Sequence, residues 1–306
     1  MMVLDFYKNV YKLLEIEPNA ILMVVIANEG SSPGRIGFKM LVTQNQMHGT
    51  IGGGIMEHKL VEYARSLLEK STFKPFIKHQ IHDKSAPTDQ SGMICSGRQT
   101  IAFYAMNSES LPLIDLILNS DNTSISYSEK GIHLNEILSS SDWQFIEPIS
   151  LPNQVYVIGG GHVGLALSEV LSRLDFQIHL LDHRENLNTM QANSFVLSKQ
   201  TVEFETIEQF IPEGDNIYVV IMSFGYRTDD IIIRRLLDKK FKFIGMLGSQ
   251  EKVKTLYKSL LADGFTQKQL DQIHAPIGLD IKSETAAEIA ISVAAQLIQI
   301  KNKRQS

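Results

Sequence analysis

Apolar residues first recur at helical spacing near the start of the chain, where Phe6, Val10, Leu13 and Leu14 share one face of residues 4–16. The unbroken run Ala20–Ala27 predicts a buried strand and is far short of the roughly 20 residues a membrane-spanning helix needs. A loop of Gly30, Ser31, Ser32, Pro33 and Gly34 follows, then a strand over 39–42 and a turn over 44–47. Gly52–Gly54 lead into a helix over 55–69, and strands are expected near 76–82 and 99–105. From 107 onward the periodicity fades into Ser and Asn clusters with one helix over 111–118. Residues 107–150 therefore read as a connecting region between a first domain, 1–106, and a second, 151–306.

Beyond 150 the pattern changes character. Strands over 154–158, 177–182, 217–223 and 241–247 alternate with helical stretches, and a last helix covers 286–300. Such alternation implies βαβ units on a parallel sheet. The expected fold class is α/β: a C-terminal Rossmann-type parallel sheet with a smaller N-terminal α/β domain.

Two glycine loops carry the candidate chemistry. Gly159, Gly161 and Gly164 fit G-x-G-x-x-G between an apolar strand and a helix, the context that pattern requires. Asp182 ends the next strand about 20 residues on, where an acidic residue can accept from a ribose hydroxyl. Arg184 beside it suits a ribose 2′-phosphate, and His162 lies inside the loop. Gly52, Gly53 and Gly54 form a second glycine turn before a helix, a nest of N–H groups able to grip an anion. Glu57 and His58 follow in the helix's first turn, and Gly248 lies just after the strand over 241–247, where α/β sheets bind ligands.

Other features read as structure. His79 and His82 are three apart in a predicted strand, face opposite sides and so cannot share a metal. Thr285 and Glu288 form a capping box, which explains Glu288 without chemistry.

Composition narrows the field. The 306 residues include 29 Lys and Arg against 34 Asp and Glu, a net charge of −5, so the chain has no basic excess for a nucleic-acid backbone. With 43% apolar and 21% charged residues it has the make-up of a globular protein. No leader-like apolar core opens the chain, so a cytoplasmic protein without a membrane partner is expected. Cys95 is the single cysteine, which excludes an internal disulfide and any Cys-rich metal site within one chain. Local sequence leaves Cys95 with two readings: a buried inert thiol, or a thiolate favoured by Arg98.

Taken together, GSSPGRIGFKMLV, GTIGGGIMEHKL, GMICSGR, VYVIGGGHVGLAL, LLDHRE, FIGMLGSQEK, HAPIGLDI and ETAAEIAISVAAQLI resemble the xanthine dehydrogenase accessory proteins, the XdhC/CoxI family of molybdoenzyme maturation factors. The resemblance covers nearly the whole chain. It implies a protein that binds molybdenum cofactor (molybdopterin or a dinucleotide form) while a cysteine desulfurase sulfurates it, then delivers it to an apo-molybdoenzyme of the xanthine or CO dehydrogenase type. Cys95 would then be a soft contact for molybdenum or sulfur, and no catalytic residue is assigned. Ser96 stands where the family often has Gly, and Ser223-Phe224-Gly225-Tyr226 departs from the Thr-His of the xanthine dehydrogenase branch. The alternative is an NAD(P)-dependent oxidoreductase using the C-terminal Rossmann site at Gly159, Gly161 and Gly164. Exposed strand edges or the last helix would support a homodimer.

Overall fold

The computed structural model describes residues 3–69, 73–81, 97–120, 124–138, 140–149 and 151–303. The chain divides into two units, Met1–Leu151 and Pro152–Ser306. In the first unit, α1 (Val3–Ile16) precedes β1 (Asn19–Gly30), β2 (Lys39–Val42), β3 (Met47–Gly49) and α2 (Gly54–Leu68). After these come β4 (Phe76–Ile81), β5 (Gly97–Asn107), α3 (Leu111–Leu118), β6 (Ser124–Ser128), β7 (Gly131–Leu134) and β8 (Gln144–Pro148).

An antiparallel sheet in the order β3-β2-β1-β5-β4 forms the frame of this unit. Its central strand explains the apolar run. Ile21, Met23 and Val25 pack with Met56, Leu60, Val61, Ala64 and Leu67 of α2. Ala20, Leu22 and Val24 face the other way, toward Phe6, Tyr7, Val10 and Leu14 of α1. Both faces are covered, so no polar alternation survives. Each buried aliphatic side chain contributes about 1.5–3 kcal/mol.

Residues 107–150, expected to be a connecting region, build α3 and a second antiparallel sheet, β7-β6-β8. Ile114, Ile117, Ile125, Tyr127 and Ile149 enter the α1 core. The first unit therefore extends to Leu151 instead of ending at 106. A buried ion pair ties the parts together: Lys39 Nζ donates to Glu147 at 2.6 Å and to the Gly37 carbonyl at 2.8 Å. Tyr127 donates to the same carboxylate at 3.0 Å, and its oxygen lies 2.8 Å from that of Tyr7. Burial lowers the Lys39 ammonium below the usual lysine value, against the pull of Glu147.

The second unit contains β9 (Asn153–Ile158), α4 (His162–Leu171), β10 (Phe176–Asp182), α5 (Asn188–Ala192), β11 (Ser198–Thr201), β12 (Gly214–Ile221) and α6 (Tyr226–Leu236). It continues through β13 (Phe241–Met246), α7 (Gln250–Ala262), α8 (Gln267–Leu270), β14 (Ile273–His274) and α9 (Ala286–Asn302). Its six strands are all parallel, in the order β11-β10-β9-β12-β13-β14. This is the doubly wound Rossmann arrangement, with the order reversing between β9 and β12. Val155 and Val157 pack toward α4 and α9, whereas Tyr156 and Ile158 pack toward α6 and α7. Among the described residues no helix is long and apolar enough to cross a membrane. Thr285 accepts from the Glu288 N–H and Glu288 accepts from the Glu284 and Thr285 N–H groups, so the capping box is formed.

Candidate functional site

In the first unit the fold gathers motifs that are far apart in sequence. Gly30 at the end of β1 pairs with Gly97 at the start of β5. Gln99, almost wholly buried, accepts from Ser32 Oγ at 2.7 Å and the Gly34 N–H at 3.1 Å. It also donates to the Ile51 carbonyl at 3.3 Å. A Cβ on Gly52 would lie 2.6 Å from the Gly34 nitrogen, so the two glycine loops touch backbone to backbone.

The anion nest expected at Gly52, Gly53 and Gly54 is filled by the protein itself. Glu57 Oε2 accepts from Thr50 Oγ1 at 2.6 Å, the Ile51 N–H at 2.9 Å and the Gly53 N–H at 3.0 Å. Glu57 thus closes the turn from the first turn of α2 instead of facing a ligand. Cys95 and His82 lie outside the described residues. Among the described residues no group of three or more His, Cys, Asp or Glu side chains could hold a metal.

The loop after β9 is built differently. Gly159 has φ +124°, and a Cβ there would lie 2.3 Å from the Met222 carbonyl oxygen, so this turn and the chain leaving β12 meet at the switch point. A Cβ on Gly164 would lie 2.1 Å from the Gly159 carbonyl oxygen; that glycine lets α4 close on the strand. At Gly161 a Cβ meets nothing within 4 Å, and φ is −70°. One glycine therefore makes the turn, one admits the helix and one faces open space, with the exposed His162 as the first residue of α4. The peptide between them is clamped from both sides. The Gly160 N–H donates to Asp182 Oδ2 at 2.6 Å, and Thr189 Oγ1 donates to the Gly160 carbonyl at 2.5 Å.

Asp182 also takes three donors from Arg184. Its Oδ1 accepts the Arg184 backbone N–H and Nε, both at 2.9 Å, while Oδ2 accepts Nη2 at 2.7 Å. Burial pushes the Asp182 carboxyl up, but the Arg184 and Gly160 donors outweigh it and leave the group below the usual carboxylate range. Asp182 is thus fully engaged within the protein rather than offered to a ribose.

Farther along the carboxyl edge, Ser223 donates to the buried Asp229, which is ion-paired with Lys252. Lys252 also donates to the Leu247 carbonyl at 3.3 Å, and its stem covers Gly248. Burial raises the Asp229 carboxyl against the lowering effect of Lys252 and Ser223. Sequence reading missed Thr189, Asp229 and Lys252. The available signal was position: each follows a parallel strand within the next helix, at the edge where such sheets bind ligands.

The XdhC Rossmann domain matches residues 155–297, and the XdhC and CoxI family matches residues 15–78. The chain belongs to the XdhC and CoxI family. Its Rossmann-domain match runs from within β9 to within α9 and so takes in the whole carboxyl edge just described. Among relatives of this XdhC and CoxI chain, the uncharacterized protein YqeB of Escherichia coli is 23% identical over 91% of this chain, which spans 43% of YqeB. A Bacillus subtilis protein named as a probable xanthine dehydrogenase subunit is 21% identical, with 98% of each chain covered. The crystal structure of a xanthine dehydrogenase from Bacillus halodurans has the same fold, with TM-score 0.78 and 21% identity over all of this chain and 97% of that one.

Proposed function

We propose that this chain is an accessory factor for a molybdoenzyme of the xanthine dehydrogenase type. In this role it holds the phosphate-bearing pterin of the molybdenum cofactor on the loop after β9. Family membership and the relatives named for xanthine dehydrogenase support the accessory role. One observation supports the loop as the holding site: Gly161 faces open space at the N-terminus of α4, while Gly159 and Gly164 are held by backbone contacts. A helix N-terminus presents unsatisfied N–H groups and partial positive charge, which suits a phosphate. The turn at Gly52–Gly54 does not fit a second phosphate, because Glu57 already fills it.

When bound, the cofactor supplies the molybdenum centre that the client enzyme requires. The chain's own contribution is to bind and orient: Gly161 and the first turn of α4 take the phosphate, and the clamp on Gly160 fixes the loop before ligand arrives. Cys95, from sequence alone, is the proposed soft contact. A cysteine desulfurase and the apo-enzyme are the partners that this role calls for.

The test is pterin content, read by fluorescence after oxidation, of the full chain co-expressed with its client in a molybdenum-replete host. A Cβ at Gly161 would meet nothing within 4 Å, so Gly161→Val should fold normally yet retain at least tenfold less pterin. Cys95→Ala, in the same assay, should lower retention and transfer to apo-enzyme. Wild-type protein without pterin, or undiminished retention by Gly161→Val, would refute the holding site.

A further inference from the structure

Rossmann loops that read a nucleoside do so with an acidic side chain at the end of the second strand, whose free lone pairs accept the ribose hydroxyls. The chain has that acidic residue, Asp182, but its geometry leaves nothing to offer. A carboxylate has about four lone-pair positions. Here all four are taken, by the Gly160 N–H and by the backbone N–H, Nε and Nη2 of Arg184. The carboxylate is also closed to solvent, with Asp182 only 1% exposed. A ribose diol would have to expel a charge-assisted fork to reach it, and such bonds are about twice as strong as neutral ones.

Arg184 is the group that faces outward instead, with its side chain 35% exposed. A guanidinium carries five N–H donors, and two of them, on Nε and Nη2, are spent on Asp182. Among the described residues no side chain or carbonyl accepts from the other three. The fork on Asp182 fixes the plane of the guanidinium, and Asp182 in turn is bonded to the loop at Gly160. The result is a rigid, cationic edge tied to the glycine turn, suited to bidentate recognition of a phosphate.

We infer that Arg184, not Asp182, is the specificity-determining residue of this loop, and that the ligand presents a phosphomonoester at the end of β10 where a dinucleotide would present an unmodified ribose. Asp182 acts as a positioning residue that aims Arg184 and closes the turn. The inference rests on the reading of the loop as a phosphate site.

NAD⁺ and NADP⁺ serve as probes because they differ by one phosphomonoester on the ribose. Calorimetric titration of the full chain should give at least tenfold tighter binding of NADP⁺. Arg184→Gln, which keeps a donor toward Asp182 but removes the charge, should bring the ratio near one. Arg184→Ala should do the same and raise NAD⁺ affinity, because it uncovers the Asp182 carboxylate. Circular dichroism and urea midpoints establish that each variant is folded. Equal affinities in the wild type, a preference for NAD⁺, no binding of either probe at millimolar concentration, or a ratio unchanged in folded Arg184→Gln would each overturn the inference. Failure of pterin retention with the NADP⁺ preference intact would instead sink the cofactor reading and leave this one standing.

Discussion

Two glycine-rich turns of nearly the same composition, one before α2 and one before α4, have opposite fates in this protein. In the first, Glu57 reaches back from the helix and accepts from Thr50, Ile51 and Gly53. In the second, the clamping carboxylate is Asp182, which comes from a neighbouring strand and bonds the Gly160 N–H, leaving Gly161 bare. A run of glycines before a helix provides donors for an anion in either case. What differs is the source of the anion. An acidic residue in the first turn of the same helix saturates the turn locally. An acidic residue from the next strand grips one peptide and leaves the helix N-terminus open.

The comparison breaks most readily at the packing glycines. Gly164→Val puts a side chain against the Gly159 carbonyl oxygen, 2.1 Å from the ideal Cβ position, and should cost about 3 kcal/mol. Urea denaturation measures this, with Gly161→Val as the partner variant expected to unfold within about 0.5 kcal/mol of wild type. Similar losses for both would mean that the second turn, too, is closed by the protein.

A smaller effect is expected at Glu57. Glu57→Gln keeps the shape but weakens three bonds to a carboxylate, a loss of about 1.5–2 kcal/mol. Inorganic phosphate should raise the urea midpoint of Glu57→Ala by more than that of wild type, because only the variant adds a vacated nest to the open turn before α4. Stabilisation of both by phosphate through this turn would erase the contrast.

The smallest effect is in the pH dependence of Asp182. Its folded carboxyl lies below the unfolded value of about 3.9. A depressed carboxyl stabilises the fold above that value and loses the contribution as pH falls through the folded value. The stability difference between wild type and Asp182→Asn should thus be full at pH 7 and shrink as the pH is taken below about 4. A difference independent of pH would mean that the Asp182 charge adds nothing to the clamp on Gly160 and Arg184.

The parts of the fold that were legible in the sequence were those with one dominant period. α2 showed its buried stripe of Met56, Leu60, Val61, Ala64 and Leu67, and β1 and β9 showed continuous apolar runs because both of their faces are covered. The sheet β7-β6-β8 was illegible because β6 reads Ser-Ile-Ser-Tyr-Ser and buries Ser126 and Ser128 with its apolar residues. Polar and apolar positions there are both inside, so alternation carries no message. The pairing of Lys39 with Glu147 was equally hidden, since 108 residues separate the partners and each alone reads as a surface charge.

At the site, sequence by itself determined which turns could approach a ligand: three glycines at fixed spacing between a strand and a helix allow the backbone approach that any other residue forbids. It also determined the family, because the motifs are spread through both units. Only the tertiary structure decided which turn remains open and which groups face outward. Glu57, Asp182 and Arg184 are each ordinary charged residues in sequence. Their roles depend on which N–H groups lie within about 3 Å, and those come from neighbouring turns and strands as well as from the residues beside them.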